Sequence, residues 1–285
     1  MAEIKEIKRR INAIKNTQKI TRAMKMIAAA RLKRAQDRII ATRPYAKKLS
    51  ELISHLVAYS SDYKNELMEP REIKNTLVVV ISADRGLCGA FNVNVIKFAS
   101  AYLSQTDKPV KLLMVGKKAN DYFKKKEYEI IDSYDYFFSK LDVIKSNAIV
   151  KKIIDGYLQK NYDKVDLIYT EFKSVIKQIV KVETFLPVVK PEVANPYSTK
   201  YIYEPSAEDI LDNMIPKHLN LQFWKVLLES NAAELGAKMT AMETATNNAD
   251  EFIRTLTIMY NRARQESITK ELLEIVSGAE ALKNS

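Results

Sequence analysis

The sequence is poor in the residues that usually carry chemistry. One cysteine, Cys88, in 285 residues excludes an intrachain disulfide framework and a cysteine-rich zinc site. Two histidines, His55 and His218, lie far apart without neighbouring ligands, leaving little for a metal cluster or a catalytic triad. Six glycines and eight prolines are few for this length and disfavour an all-β fold built on tight turns. No run of 18 apolar residues is present, which excludes a transmembrane helix. The opening MAEIKEIKRR passes directly into a helical pattern without a signal peptide's apolar stretch, so a reducing, cytoplasmic setting is expected. The phosphate loop G-x-x-x-x-G-K-[ST] and the fingerprint G-x-G-x-x-G are both missing.

Positive charge is abundant but concentrated. Residues 1–48 hold 15 Lys and Arg against 3 Asp and Glu, whereas the rest of the chain holds 31 against 32. One basic segment thus carries the whole excess of +11 and suggests an acidic partner. A DNA-binding basic helix would set these residues beyond its apolar seam. Here they interleave with it, which argues against nucleic acid.

Residues 2–43 contain neither Gly nor Pro. Ile4, Ile7, Ile11 and Ile14 follow the 3–4 spacing of a coiled-coil seam. The same frame then meets Gln18, Thr21 and Lys25, and a shifted series, Ile20, Met24 and Ile27, reads as a local change of winding before Ala28, Leu32, Ala35 and Ile39 restore the first frame. Pro44 predicts a kink or break, yet apolar periodicity continues through Leu49, Leu52, Ile53 and Leu56, so the N-terminal coiled-coil helix is expected over residues 1–59. Residues 60–76 are polar and read as a linker.

The character changes over residues 77–195. Short apolar strands at Leu77–Ile81 and Lys111–Val115, later strands at Lys164–Phe172 and Val175–Pro187, and intervening helices predict an α/β domain with a mainly parallel sheet. Between the first strand and its helix lies Gly86-Leu87-Cys88-Gly89, a tight turn with the wrong spacing for a nucleotide loop. Asp84 and Arg85 beside it read as a loop ion pair, and Cys88 as a small buried residue.

Helix returns over residues 206–285, with Ser206 as its N-cap. Leu221, Leu228, Leu235, Met242, Ala249, Leu256 and Ala263 recur every seven residues, and Ala232, Met239, Thr246, Ile253 and Tyr260 form the second seam position. Met24, Met26, Met239 and Met242 read as adaptable packing near the seams, and Phe223 and Trp224 as packing between coil and domain. Two seamed helices flank one domain too small to cover both, so they cover each other antiparallel. The final turns, Leu272, Leu273, Ile275, Val276, Ala279 and Leu282, are too apolar for a free tip and call for a partner.

Three stretches carry a resemblance to a known family: KEIKRRINAIKNTQKITRAMKMIAAARL with Arg43-Pro44-Tyr45-Ala46; Ser82-Ala83-Asp84-Arg85-Gly86-Leu87-Cys88-Gly89; and Tyr260-Asn261-Arg262-Ala263-Arg264-Gln265 followed by ITKELLEIVSGAEA. Together they resemble the gamma subunit of F-type ATP synthase, the central-stalk rotor. The resemblance implies an antiparallel coiled coil of the terminal helices plus a central Rossmann-like α/β domain. It implies a non-catalytic shaft, one copy per complex, in a 3:3 ring of alpha and beta subunits. The epsilon subunit and the membrane c-ring are further implied partners; nucleic acid and direct membrane insertion are not. No cofactor is expected in this chain, ATP, ADP and Mg being held by partner subunits. Arg22, Met24 and Lys25, and Arg264, Gln265, Thr269, Glu271 and Glu274, correspond to contacts with the ring. Tyr203 and Glu204 correspond to the foot near epsilon and the c-ring. Lys238 stands where the family pattern implies arginine, and a lysine lacks the forked donor. The absence of a transit peptide and of the chloroplast cysteine insertion implies a bacterial protein on the cytoplasmic membrane face.

Overall fold

A computed structural model describes residues 2–59, 63–106, 108–189, 204 and 206–283. The chain divides into two compact units: residues 1–28 with 239–285, and residues 29–238.

The first helix, α1, runs Ala2–Tyr59 as one element. Pro44 lies inside it rather than ending it. The proline removes one backbone bond, and its own exposed position leaves the freed carbonyl's side of the helix open to water. The last helix, α5, spans Ala207–Lys283 and likewise absorbs Pro216. Its start is capped by Ser206, whose hydroxyl accepts the Asp209 N–H at 3.1 Å while donating to the Asp209 carboxylate at 2.6 Å.

In the unit of residues 29–238, a five-stranded sheet has the order β3-β2-β1-β4-β5. β1 is Thr76–Ile81, β2 Val110–Val115, β3 Glu129–Tyr134, β4 Lys164–Phe172 and β5 Gln178–Leu186. The first four are parallel, and β5 returns antiparallel along β4. Every residue of β1 is buried, as expected of the central strand of a sheet covered on both faces. One face, with Val78, Val80, Leu112, Met114 and Ile168, packs under α2 (Phe91–Ser104) and α3 (Lys117–Phe123). The other, with Val79, Ile81, Leu113, Val115 and Leu167, packs against α4 (Val143–Leu158) and the first turns of α5 through Ile215, Leu219, Phe223 and Val226. Phe223 is fully buried and Trp224 packs at the margin of this core.

Two sequence expectations change here. β3 lies at the sheet edge, and its residues EIIDSY alternate too weakly to be recognised as a strand. The segment after α1 is also no loose linker. Leu67 and Met68 are buried in the core. Arg71 holds Asp163 at 3.0 Å and donates to the carbonyls of Tyr157 and Tyr162 at 2.8 and 2.5 Å.

Candidate functional site: the helix pair and the sheet crevice

An open parallel sheet usually binds its ligand outside the carboxyl ends of the strands, where the strand order reverses. In this sheet that point lies between β1 and β4. Ala83 and Cys88 from the β1–α2 connection, Phe91 at the start of α2 and Phe172 from the end of β4 meet Ala233 and Ala237 of α5 there. A helix of this protein therefore fills the crevice, and the two alanines let it come close. Cys88 is buried, and burial pushes its thiol pKa up, away from nucleophilic use. Asp84 accepts the backbone N–H groups of Lys117 at 3.3 Å and Phe138 at 2.9 Å. Its carboxylate thus ties the loops after β2 and β3, which corrects the expectation of an ion pair with Arg85. Gly116, at φ +98°, lets the β2–α3 turn press on the Ser82 carbonyl, 2.0 Å from where a Cβ would stand. His218 is half-buried, and desolvation lowers its pKa. Among the described residues, no cluster of His, Cys, Asp or Glu could hold a metal ion.

The charged and apolar surfaces lie instead on the helices. In the unit of residues 1–28 with 239–285, the seam frame of α1 never shifts. Ile4, Ile7, Ile11, Ile14, Gln18, Thr21, Lys25 and Ala28 all turn inward, while Ile20 and Ile27 are 60% and 54% exposed. The expected change of winding is thus overturned: the polar residues keep the seam because α5 offers matching partners. Gln18 donates to the Asp250 carboxylate, Thr21 and Thr246 share a hydroxyl bond of 2.8 Å, and Lys25 meets Glu243 at 2.5 Å. The paired numbers sum to 267 or 268, which fixes an antiparallel register. The seven-residue series on α5 faces inward, at least partly, through Ala263.

Along that register, Ala2 falls opposite residue 265 or 266 of α5. The turns beyond have no counterpart on α1, and Ile268, Leu272, Leu273, Ile275 and Val276 are exposed. Arg264, Gln265, Thr269, Glu271 and Glu274 are exposed on the same stretch. Thr269 bonds back to the Gln265 carbonyl at 2.9 Å, and Glu271 accepts from Ser267 at 3.4 Å. On α1, Arg22 is exposed, Met24 half-buried, and Lys25 engaged by Glu243. Arg22 sits level with Thr246, so the Arg22–Lys25 group and the group beginning at Arg264 lie about 27 Å apart along the pair. Lys238, in the other unit, holds Glu234 at 2.5 Å one turn back. Glu204 is exposed; Tyr203 lies outside the described residues.

Sequence reasoning placed Thr246 in the seam but missed its partner Thr21 and the seam role of Gln18, Glu243 and Asp250. The available signal was the uninterrupted 3–4 spacing from Ile4 to Ile39, with polar residues at complementary places on both helices. It also missed Glu229. One oxygen of this carboxylate is buried without a hydrogen-bond partner, and the side chain lines a cleft of about 300 Å³ with Ile39, Thr42, Arg43, Ala46, Lys225 and Leu228.

Comparison with known proteins gives a consistent relationship. A family model described as ATP synthase matches residues 3–282. The ATP synthase gamma chain of Chloroherpeton thalassium is 47% identical over 303 residues, covering 100% of both chains. That of Chlorobium phaeobacteroides (strain DSM 266) is 47% identical over 290 residues, covering 99% of this chain and 100% of its own. Among solved structures, a chain of the central stalk and c-ring of Tetrahymena thermophila mitochondrial ATP synthase is 26% identical, with a TM-score of 0.60 over 79% of this chain and 99% of that one. A chain of the Euglena gracilis mitochondrial enzyme shares the fold at 17% identity, with a TM-score of 0.69 over 99% and 95%. By sequence along its whole length and by fold, this chain belongs to the ATP synthase gamma chain family.

Proposed function

We propose that this chain is the central rotor shaft of a rotary ATP synthase, coupling ion-driven turning of a membrane ring to ATP synthesis, or ATP hydrolysis to ion pumping. The observation that carries the proposal is uncovered apolar surface on well-formed helix. Ile20 and Ile27 stand exposed in one stripe outside the seam of α1, with Met24 half-buried between them, and α5 continues past its partner with five exposed aliphatic residues. Surface of this kind belongs inside a collar of other subunits. The names of the relatives agree with such a place: a gamma chain, a central stalk with c-ring, a rotor, and an assembly of OSCP, F1 and c-ring.

The mechanism follows from asymmetry. A two-helix shaft presents a different face in each direction, so each position of a surrounding alpha/beta ring meets different side chains. Turning the shaft changes which ring conformation is favoured, and the differences in binding free energy do the coupling. Arg22 and Met24 on α1, and Arg264, Gln265, Thr269, Glu271 and Glu274 on α5, supply exposed or half-exposed groups for such contacts. Lys25 and Lys238 each enter them already holding an internal carboxylate. Tyr203 and Glu204 belong to the foot that meets the epsilon subunit and the c-ring. Exposed charges suit a surface that binds and releases repeatedly, because their attraction is long-ranged and screened.

In this reading the chain has no catalytic centre, and ATP, ADP and Mg are bound by its partners. It is a peripheral protein on the cytoplasmic face of a bacterial plasma membrane. Among the described residues no helix is long and apolar enough to cross a membrane.

The deciding experiment is the native mass and subunit content of the complex that co-purifies with the tagged full chain. One copy with three alpha and three beta subunits is expected. Recovery of the chain alone, or of a nucleic acid complex stable at physiological salt, overturns the proposal.

A further inference from the structure

The geometry points to the β4–β5 hairpin as the brace that fixes the helix pair against rotation relative to the α/β domain, with Val175 and Gly236 as its positioning residues; this rests on the rotor reading above. All the residues concerned lie within the one compact unit of residues 29–238.

The hairpin leaves β4 at Phe172 and re-enters the sheet at Gln178. Its turn is held by its own bonds. The N–H groups of Lys173 and Ser174 donate to the Lys177 carbonyl at 3.3 and 3.0 Å. The Lys177 N–H returns to the Ser174 hydroxyl at 3.1 Å, and the Gln178 amide donates to the Val175 carbonyl at 2.5 Å. At the base, Glu171 is gripped by Lys173 at 3.1 Å and Lys181 at 3.3 Å. A loop tied in this way transmits force instead of flexing.

Two of its apolar side chains, Phe172 and Val175, pack into one cluster with Leu32, Ala35 and Ile39 of α1 and Ala232 and Leu235 of α5, while Ile176 stays exposed at the apex. The hairpin therefore touches both helices at once. Gly236 makes the approach possible. A Cβ there would lie 3.2 Å from the Phe172 ring and 3.7 Å from the Val175 Cα, so hairpin backbone runs close against helix backbone. Glycine in a helix interior is unfavourable, and this contact gives a reason for it. Torque about an axis passes only through contacts held off that axis. A stiff wedge seated against both helices of a pair resists their turning past the sheet in a way that contact with one helix does not.

The test uses the assembled complex, with the alpha/beta ring immobilised, the rotor stalled, and a probe on the α/β domain reporting angular fluctuation. Val175→Ser empties the wedge and leaves the turn bonds in place. Gly236→Val pushes the hairpin outward. Both are expected to leave subunit composition unchanged and to raise the angular variance by about twofold or more, since variance varies inversely with stiffness. Ile176→Ser, at the 91% exposed apex, is expected to match the parent. If Gly236→Val fails to assemble, Val175→Ser decides alone. Parental variance in Val175→Ser, or an equal rise in Ile176→Ser, overturns the brace. A parental complex that never rotates overturns the rotor reading instead, whatever the hairpin variants do.

Discussion

The hydroxyl of Thr21 lies 2.8 Å from that of Thr246 across the helix pair, in the middle of a seam whose ends are aliphatic. Thr21 also reaches the Gln18 carbonyl at 3.0 Å, and Thr246 the Met242 carbonyl at 2.7 Å. Each hydroxyl has one proton, so one can bond back to its own helix while the other bonds across. Together with Gln18–Asp250 and Lys25–Glu243, this polar stretch fixes register: sliding either helix by a turn separates all three pairs at once. A double-mutant cycle of Thr21→Val and Thr246→Val should therefore show coupling of about 0.5–1.5 kcal/mol, the range for a partly buried neutral hydrogen bond. The double variant should be no less stable than the parent, because both partners become apolar in the same shape. Denaturant unfolding of the four full-length chains measures this; strictly additive effects would contradict the pairing.

The same stretch shows where the sequence was legible and where it was not. The helices followed from spacing, because burial of a seam demands periodicity, the sheet type from the alternation of strands and helices, and the antiparallel pairing from two seamed helices flanking one small domain. Ile20, Met24 and Ile27 misled for a physical reason. They are apolar at helical spacing, but among the described residues Ile20 and Ile27 are left exposed and Met24 half-buried, and one chain's pattern does not distinguish a seam from a surface meant for another protein. Gln18, Thr21 and Lys25 looked like interruptions because their partners lie more than 200 residues away. The edge strand β3 and the packed segment at Leu67 and Met68 were lost to weak alternation and polar neighbours. The residues matched to ring contacts, by contrast, came through the family resemblance and not through any pattern a single sequence displays.

That distinction can be measured. Ile20→Ser and Ile27→Ser remove exposed side chains, so unfolding of the full chain should change by no more than about 0.5 kcal/mol. Association with the alpha/beta ring should weaken by about 1–2 kcal/mol for each. Met24→Lys, between them, should leave assembly intact while lowering ion pumping per ATP hydrolysed, since it adds a charge where the surface must turn against its neighbour. Binding measurements on reconstituted rings and pumping assays in membrane vesicles test the two claims separately. A loss of stability in the isolated serine variants would place these residues in a core.

Glu229 makes stability depend on pH. Burial raises its carboxyl pKa, and Lys225, at 3.9 Å, is too distant to compensate fully; Glu171, Lys181 and Glu183 also face it. The folded chain therefore binds this proton more tightly than the unfolded chain. The stability so conferred is complete below the ordinary carboxylate range and is lost as pH rises through the raised pKa. Glu229→Gln keeps the shape and removes the titration. Its melting temperature should exceed the parent's by about 2 °C at neutral pH and above, and the two should converge on acidification. A gap that stays constant with pH would mean that the carboxyl is not the cause.

Leu256 and Leu272 carry the same side chain on the same helix, sixteen residues apart, in opposite circumstances. Leu256 is half-buried at a seam position, between Ile253 and Tyr260, which also face inward. Leu272 is 57% exposed, beyond the level of Ala2, the first residue of α1. An aspartate at 256 places a charge in an apolar seam without a partner, which should cost about 2–3 kcal/mol and separate the helices over this unit. An aspartate at 272 should leave unfolding of the full chain within about 0.5 kcal/mol of the parent, because none of the described residues covers that side chain. Both should weaken assembly with the ring, one by destroying the shaft and the other by spoiling a sound one. Circular dichroism melts paired with co-purification separate the two routes. If Leu256→Asp melts like the parent, the seam assignment is wrong; if Leu272→Asp assembles like the parent, the overhanging turns of α5 do not meet the collar.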